Sequence, residues 1–137
     1  MENGQATTVT PGTGTLTVSN TGLLNLQVGT TLTVAGNLTN SGQVYTNQFN
    51  YGGSANTLTV SGAFTNNAGA TFSVGNTDNT ADVANVGTLV NDGTTTIGTG
   101  ATLNLTNQPN GITDVVQGSA LYVAGSLKAG TANGLAK

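Results

Sequence analysis

Acid–base chemistry in this chain could come only from five carboxylates and two amines. The sequence has no His for a catalytic triad and no Cys nucleophile. A glycosidase-type pair needs two carboxylates that face each other across a groove, and only three of the acids lie near one another in sequence. We therefore predict that the protein is not an enzyme and uses no cofactor. The full ionic inventory is Glu2, Asp78, Asp82, Asp92, Asp114, Lys128 and Lys137.

The clustered acids Asp78, Asp82 and Asp92 are also the candidate calcium ligands. The segment 76–82, NTDNTAD, is rich in the oxygen ligands that hard cations prefer. Asp and Asn are also typical turn residues, so their presence does not by itself indicate a metal site. The G-G-x-G-x-D repeat of calcium β-rolls is missing from the sequence. We therefore favour a solvated loop over a calcium site, and we predict no obligate metal.

Paired threonines offer a second kind of chemistry. Because alternate residues of a strand lie on one face, each Thr-x-Thr pair should project to the same side, and we expect the pairs to form one outward array. Such an array resembles the ice-binding face of small β-solenoid antifreeze proteins, although Thr is also simply a favoured outward strand residue. The pairs are Thr15/Thr17, Thr31/Thr33 and Thr57/Thr59, with Thr94/Thr96 as a possible extension.

Composition excludes several partners and favours an all-β fold. Charged residues are 5% of the sequence and the net charge is −3, against about 25% charged residues in ordinary globular proteins. Two Lys cannot neutralise the phosphates of a nucleic acid, and no apolar run approaches the roughly 18 residues of a membrane span. We predict no nucleic-acid partner and no membrane insertion. Abundant Thr favours strands, whereas Asn and Gly favour turns.

An internal repeat is the main signal in the sequence. Segment 31–42, TLTVAGNLTNSG, returns as 57–69, TLTVSGAFTNNAG, with one added residue before the final Gly. Strand starts recur roughly 16 to 26 residues apart, which is the period of solenoid coils. These starts are Leu16, Leu32, Leu58, Leu103 and Leu121, with a weaker one near Val83.

One repeat fits one coil of about three short strands. Alternation directs Leu32 and Val34 inward, and Gly36 turns the chain before Leu38 points inward again. Coils stacked about 4.8 Å apart would satisfy one another's backbone hydrogen-bonding groups. Three asparagines occupy equivalent corner positions shortly before a Gly, namely Asn40, Asn66 and Asn91. We predict that their side-chain amides stack as a ladder between coils.

These patterns predict an all-β fold, namely a right-handed parallel β-helix of about six irregular three-sided coils. The prediction is a single β-solenoid domain over residues 1–137, with core coils from about 14 to 130 and polar ends. The N-terminal segment 6–10, ATTVT, also has the composition of a strand.

Segments 14–18, 32–42 and 58–69 resemble the degenerate G-x-L-T-V-x-G-x-L-x-N-x-G phrases of bacterial autotransporter passengers and filamentous-haemagglutinin-type adhesins. The resemblance covers most of residues 14–130. It implies a right-handed parallel β-helix on the bacterial outside, used for adhesion or as a scaffold. The expected location is therefore extracellular or at the bacterial cell surface.

The leading functional hypothesis is an extracellular structural or adhesive protein that assembles head to tail into filaments. Solenoid ends expose unpaired strand edges unless they are capped, and heterologous contacts of this kind give open filaments. The expected partners are a second copy of the chain and a host or surface glycan or protein. The alternatives are ice binding and a carbohydrate-binding surface domain, the latter with a groove lined by Tyr45, Tyr51 and the Asp cluster.

Overall fold

The structure is a computed structural model that describes residues 6–10, 14–19, 21–49, 54–76, 80–106, 120–123 and 126–129. No helix in these ranges is long and apolar enough to span a membrane. The strands are β1 (Ala6–Val9), β2 (Thr15–Val18), β3 (Leu23–Leu26), β4 (Thr31–Val34), β5 (Asn37–Asn40), β6 (Gln43–Thr46), β7 (Thr57–Asn66), β8 (Thr71–Val74), β9 (Val83–Asn91), β10 (Thr94–Ile97), β11 (Thr102–Leu105), β12 (Ala120–Val123) and β13 (Ser126–Ala129).

Every strand pairing in the described residues is parallel, and the strands form three stacked sides. The first side holds β1, β4, the start of β7, the start of β9, β11 and β13. The second side holds β2, β5 and the second halves of β7 and β9. The third side holds β3, β6, β8, β10 and β12. The protein is therefore a β-solenoid, which confirms the predicted fold class; the handedness of its coils stays a prediction.

The described part of the chain contains four coils with all three strands, fewer than the predicted total of about six. Strands β11 and β12 supply two sides of a fifth coil, and β13 begins a sixth. Segment 6–10 was predicted to be a strand, and β1 pairs with β4 there. The stack therefore begins before residue 14, where we had placed the first core coil.

The coil period is more regular than the leucine spacing suggested. First-side strands start at residues 6, 31, 57, 83, 102 and 126, so the steps are 25, 26, 26, 19 and 24 residues and only the step to residue 102 is much shorter. Leu16 and Leu121, which we expected to begin coils, instead lie on the second and third sides, opposite Leu38 and Thr95. The expectation failed because all three sides share the same inward–outward alternation, so a Leu-Thr-Val phrase does not identify its side.

Inward side chains from the three sides fill one continuous core. On the first side Leu32 lies over Leu58, and Val34 lies over Val60, as the repeated phrase predicted. In the third coil the rings of Phe64 and Phe72 meet edge to face, with centroids 4.4 Å apart, a favourable arrangement for an aromatic pair. The other large buried side chains are Leu26, Leu38, Leu89, Ile97, Leu103 and Leu105.

Glycines at the corner between the first and second sides allow successive coils to approach closely. A Cβ atom on Gly87 would lie 2.5 Å from the carbonyl oxygen of Gly62, and one on Gly62 would lie 2.8 Å from that of Gly36. Real Cβ atoms essentially never make such contacts. The corner therefore requires Gly in each of these coils so that the flanking strands can keep their ladder hydrogen bonds.

Candidate functional site

A groove lies on the outer surface of the third side and crosses three coils. Strands β6, β8 and β10 place Tyr45, Ser73 and Thr96 in register, one above the other, at outward positions. Each of these side chains is half-buried. We call this feature, of about 250 Å³, the third-side groove; it is lined by Tyr45, Asn47, Gln48, Ser73, Gly75, Asn76, Thr96, Ile97, Gly98 and Thr99.

The rim of the third-side groove is made by the corner that follows each third-side strand. Asn47 and Gly75 have φ angles of 106° and 70°, a left-handed region that Asn and Gly adopt more readily than other residues. Hydrogen bonds tie successive corners together. The Asn76 Nδ2 group donates to the Gln48 carbonyl oxygen at 3.1 Å, and the Gly98 N–H donates to the Val74 carbonyl oxygen at 2.8 Å.

The lining of the third-side groove is uncharged, and most of its surface is apolar with a few polar groups between. Among the described residues that form it, none carries a carboxylate or an amine; the polar groups are a phenol, amides and hydroxyls. Ser73 Oγ donates to the Gly75 carbonyl oxygen at 3.1 Å. Gln48 Oε1 is shielded from solvent yet has no hydrogen-bond partner within the described residues, and such a group usually has one.

A buried polar column supports the same corner from inside. We call Thr30, Asn56 and Asp82 the corner column because each precedes the first-side strand of its coil. The Thr30 N–H donates to Asn56 Oδ1 at 3.0 Å. Asp82 Oδ1 accepts the Asn56 N–H at 2.7 Å and the Asn56 Nδ2 group at 2.8 Å. The column therefore connects three coils through side chains that are almost fully buried.

Asp82 connects the corner column to the groove. Its Oδ2 atom accepts a hydrogen bond from Asn47 Nδ2 at 3.3 Å, and Asn47 also lines the groove. A Cβ atom on Gly75 would lie 3.5 Å from the same Asp82 oxygen. The carboxylate thus lies just inside the groove and holds one of its lining amides in place.

The calcium candidates occupy different surroundings. Asp82 is fully buried, and its two oxygens accept hydrogen bonds from Asn47 and Asn56. Asp92 is half-buried at the corner that follows β9, and Asp78 lies outside the described residues. No cluster of three or more metal-ligating His, Cys, Asp or Glu side chains occurs in the described part of the chain. We expected Asp82 to lie in a solvated loop, and this prediction is wrong. The residue is buried inside the coil stack, where the hydrogen bonds of the corner column hold it.

The threonine pairs do not form the single array that we expected. Thr31/Thr33 and Thr57/Thr59 stack on the first side, but the next coil places Val83 and Asn85 at those positions. The Thr15/Thr17 pair is on the second side, opposite Asn37 and Thr39, and Thr94/Thr96 is on the third. The same-side prediction is therefore wrong for Thr15 and Thr17, and the paired array is two coils deep.

Sequence reasoning found one residue of the groove and missed the others. Tyr45, which we expected in a carbohydrate-binding groove, lines this one; Tyr51 lies outside the described residues, and neither Asp82 nor Asp92 is part of the lining. Asn47, Gln48 and Thr96 were missed because their proximity depends on how coils stack. The corner column carried a usable signal, since Thr30, Asn56 and Asp82 recur at intervals of 26 residues directly before a strand.

Comparisons of the chain with protein-family models, with curated proteins and with solved structures gave no significant match.

Proposed function

We propose that the protein is a non-enzymatic structural and adhesive β-solenoid of the cell exterior that stacks head to tail through its terminal coils. The observation that carries this proposal is the single pairing of each strand in the first coil. Within the described residues, β1 pairs only with β4, β2 only with β5 and β3 only with β6. An unpaired strand edge is a template for pairing with another chain.

Partly exposed apolar side chains in the first coil also favour end-to-end stacking. Val9, Leu16 and Leu24 pack against the core but are only partly buried, and Leu23 is 52% exposed. A further coil stacked on this edge would cover part of this apolar surface, and burial contributes about 25 cal/mol per Å².

The first coil offers little charge to oppose such stacking. Glu2 is the only charged side chain among the first 77 residues, whereas natural edge strands are commonly protected by charges, especially Lys. The proposed occupant is a second copy of the chain, which brings strands β12 and β13; within the described residues each of these pairs with one neighbour, β10 and β11 respectively. Because the two surfaces differ, the contact is heterologous and repeats into an open filament.

The proposed location outside the cell rests on the resemblance of segments 14–18, 32–42 and 58–69 to adhesin repeats. Solenoids suit such a role because each coil contacts only its neighbours, so the rod lengthens without a change of architecture. Ice binding is less favoured by the geometry, because within the described part of the chain the stacked threonine pairs of the first side occupy two adjacent coils and then end.

Electron microscopy and light scattering of the purified chain test the proposal. We expect rods whose length increases with protein concentration. Leu23→Lys and Thr17→Lys, both at outward positions of the first coil, should shorten the rods or abolish them by adding charge to the edge. Ser61→Lys is the matched control, since Ser61 is exposed in the third coil. A monodisperse monomer at high concentration, or equal effects of all three changes, would contradict end-to-end stacking.

A further inference from the structure

We infer that the third-side groove is a binding site for a neutral saccharide, held against Tyr45 and the corner residues Gln48 and Asn76. The inference deepens the proposed function and rests on its adhesive part. It names the chemical class of ligand that the surface of the rod recognises.

Charge gives the first argument for the class of ligand. The described residues that line the groove carry no amine to neutralise a phosphate or carboxylate, and no carboxylate to hold a cation. Asp82 is nearby, but its oxygens already accept hydrogen bonds from Asn47 and Asn56. A charged ligand would lose its hydration without a counter-charge, which is costly. A neutral ligand avoids that cost.

The groove combines apolar and polar surface, and this combination narrows the class of ligand further. The Tyr45 ring and the Thr96 methyl group give it apolar surface, and an aromatic side chain of this kind offers a flat apolar face with a polar tip. A sugar ring has the matching character, with C–H groups on its faces and hydroxyls around its edge. The volume of about 250 Å³ is slightly below the roughly 300–1,000 Å³ of drug-sized sites, which suits one or two sugar rings.

Hydrogen-bonding groups in the groove fit the hydroxyls of a saccharide. Gln48 and Asn76 bring side-chain amides to the groove, and an amide group both donates and accepts hydrogen bonds. Ser73, Thr96 and Thr99 add hydroxyls that both donate and accept. A site that presents such groups to a ligand hydroxyl discriminates strongly against ligands that lack one, because its own polar atoms would stay unpaired.

The groove is also held in shape before any ligand arrives. Its strands belong to three hydrogen-bonded coils, Asn76 is tied to the Gln48 carbonyl oxygen, and Asn47 is held by Asp82. Preorganisation of this kind lowers the entropy cost of binding.

A microarray of neutral, sialylated and sulfated glycans, followed by calorimetry, tests the inference. The neutral probes include lactose, maltose, chitobiose and mannobiose. We expect binding to at least one neutral glycan. Thr96→Trp should fill the groove, Tyr45→Ala should remove its aromatic face, and each should weaken that binding about tenfold or more. Thr59→Trp is the matched control, because Thr59 is an outward, half-buried strand residue on the first side; it should bind like the unmodified chain.

Three outcomes would overturn the inference: no neutral glycan bound at millimolar concentration, binding of charged glycans alone, or unchanged affinity in Thr96→Trp and Tyr45→Ala. Urea unfolding of each variant shows that a lost signal does not reflect a lost fold. Electron microscopy separates this inference from head-to-tail stacking. Rods that bind no sugar remove the saccharide site alone, and a sugar-binding monomer removes the stacking alone.

Discussion

The side-chain amide of Asn66 donates a hydrogen bond of 2.9 Å to Asn91 Oδ1 in the coil below, and its own Oδ1 accepts one of 2.9 Å from Asn40 in the coil above. All three side chains are fully buried. We call them the Asn ladder. Low local dielectric strengthens such a chain of hydrogen bonds and makes any unpaired member costly, so the Asn ladder fixes the register of the second side.

Replacing the middle of the Asn ladder should destabilise the protein strongly. Asn66→Ala removes the bonds to Asn40 and Asn91 and also the 3.0 Å bond from Asn66 Nδ2 to the Thr94 carbonyl oxygen. We expect a loss of about 2–3 kcal/mol in the free energy of unfolding, since each of the three lost hydrogen bonds contributes about 0.5–1.5 kcal/mol. Urea denaturation measures the difference.

The neighbouring Thr65→Ala is the control for Asn66→Ala. Thr65 belongs to the same strand but is outward and half-buried, so its loss should cost less than about 1 kcal/mol, as most surface changes do. Equal losses in the two variants would show that the Asn ladder adds nothing beyond ordinary strand packing.

The Asn ladder and the first-side stack could be read from the sequence. The exact return of TLTV after 26 residues placed Thr31–Val34 over Thr57–Val60, and the asparagines fell at equivalent corners. The side occupied by Thr15–Val18 could not be predicted, since alternation is identical on all three sides. The burial of Asp82 was missed because an Asp in a polar segment usually indicates solvent exposure, and only its 26-residue spacing from Asn56 indicates otherwise.

Asp82 should matter as a hydrogen-bond acceptor rather than as a charge. Asp82→Ala leaves the Asn56 N–H and Nδ2 groups without the oxygen that they share, and we expect a loss of about 2–4 kcal/mol in unfolding free energy. Asp82→Asn keeps Oδ1, and the Asn47 amide can turn to face the new Nδ2 group. We expect this variant to lose less than about 1 kcal/mol, because the Asn56 and Asn47 groups keep hydrogen-bond partners.

Chemical denaturation with and without added calcium distinguishes Asp82 as a hydrogen-bond acceptor from Asp82 as a metal ligand. Both variants and the unmodified chain should show midpoints that calcium does not change. A calcium-dependent midpoint that disappears in Asp82→Asn would instead assign the carboxylate to a metal site.

The short threonine array should be too small to bind ice. Thr31/Thr33 and Thr57/Thr59 stack on one side, but Val83 and Asn85 replace the pair in the next coil, and Asn85 accepts a 2.8 Å hydrogen bond from Asn104. We expect no thermal hysteresis and no shaping of ice crystals at millimolar protein in an osmometer. Hysteresis that Thr33→Tyr and Thr59→Tyr both abolish would establish the opposite.

Replacing Gly87 with even the smallest side chain should destabilise the protein, because successive coils approach closely at this corner. A methyl group there would lie 2.5 Å from the Gly62 carbonyl oxygen and 2.7 Å from that of Ser61. Overpacking of this kind typically costs about 1–3 kcal/mol, so Gly87→Ala should lower the urea midpoint and shift the amide resonances of Ser61 and Gly62. Ser61→Ala changes an exposed residue of the same corner and should stay within about 0.5 kcal/mol of the unmodified chain. If Gly87→Ala is equally neutral, the coils at this corner lie further apart than the structure places them.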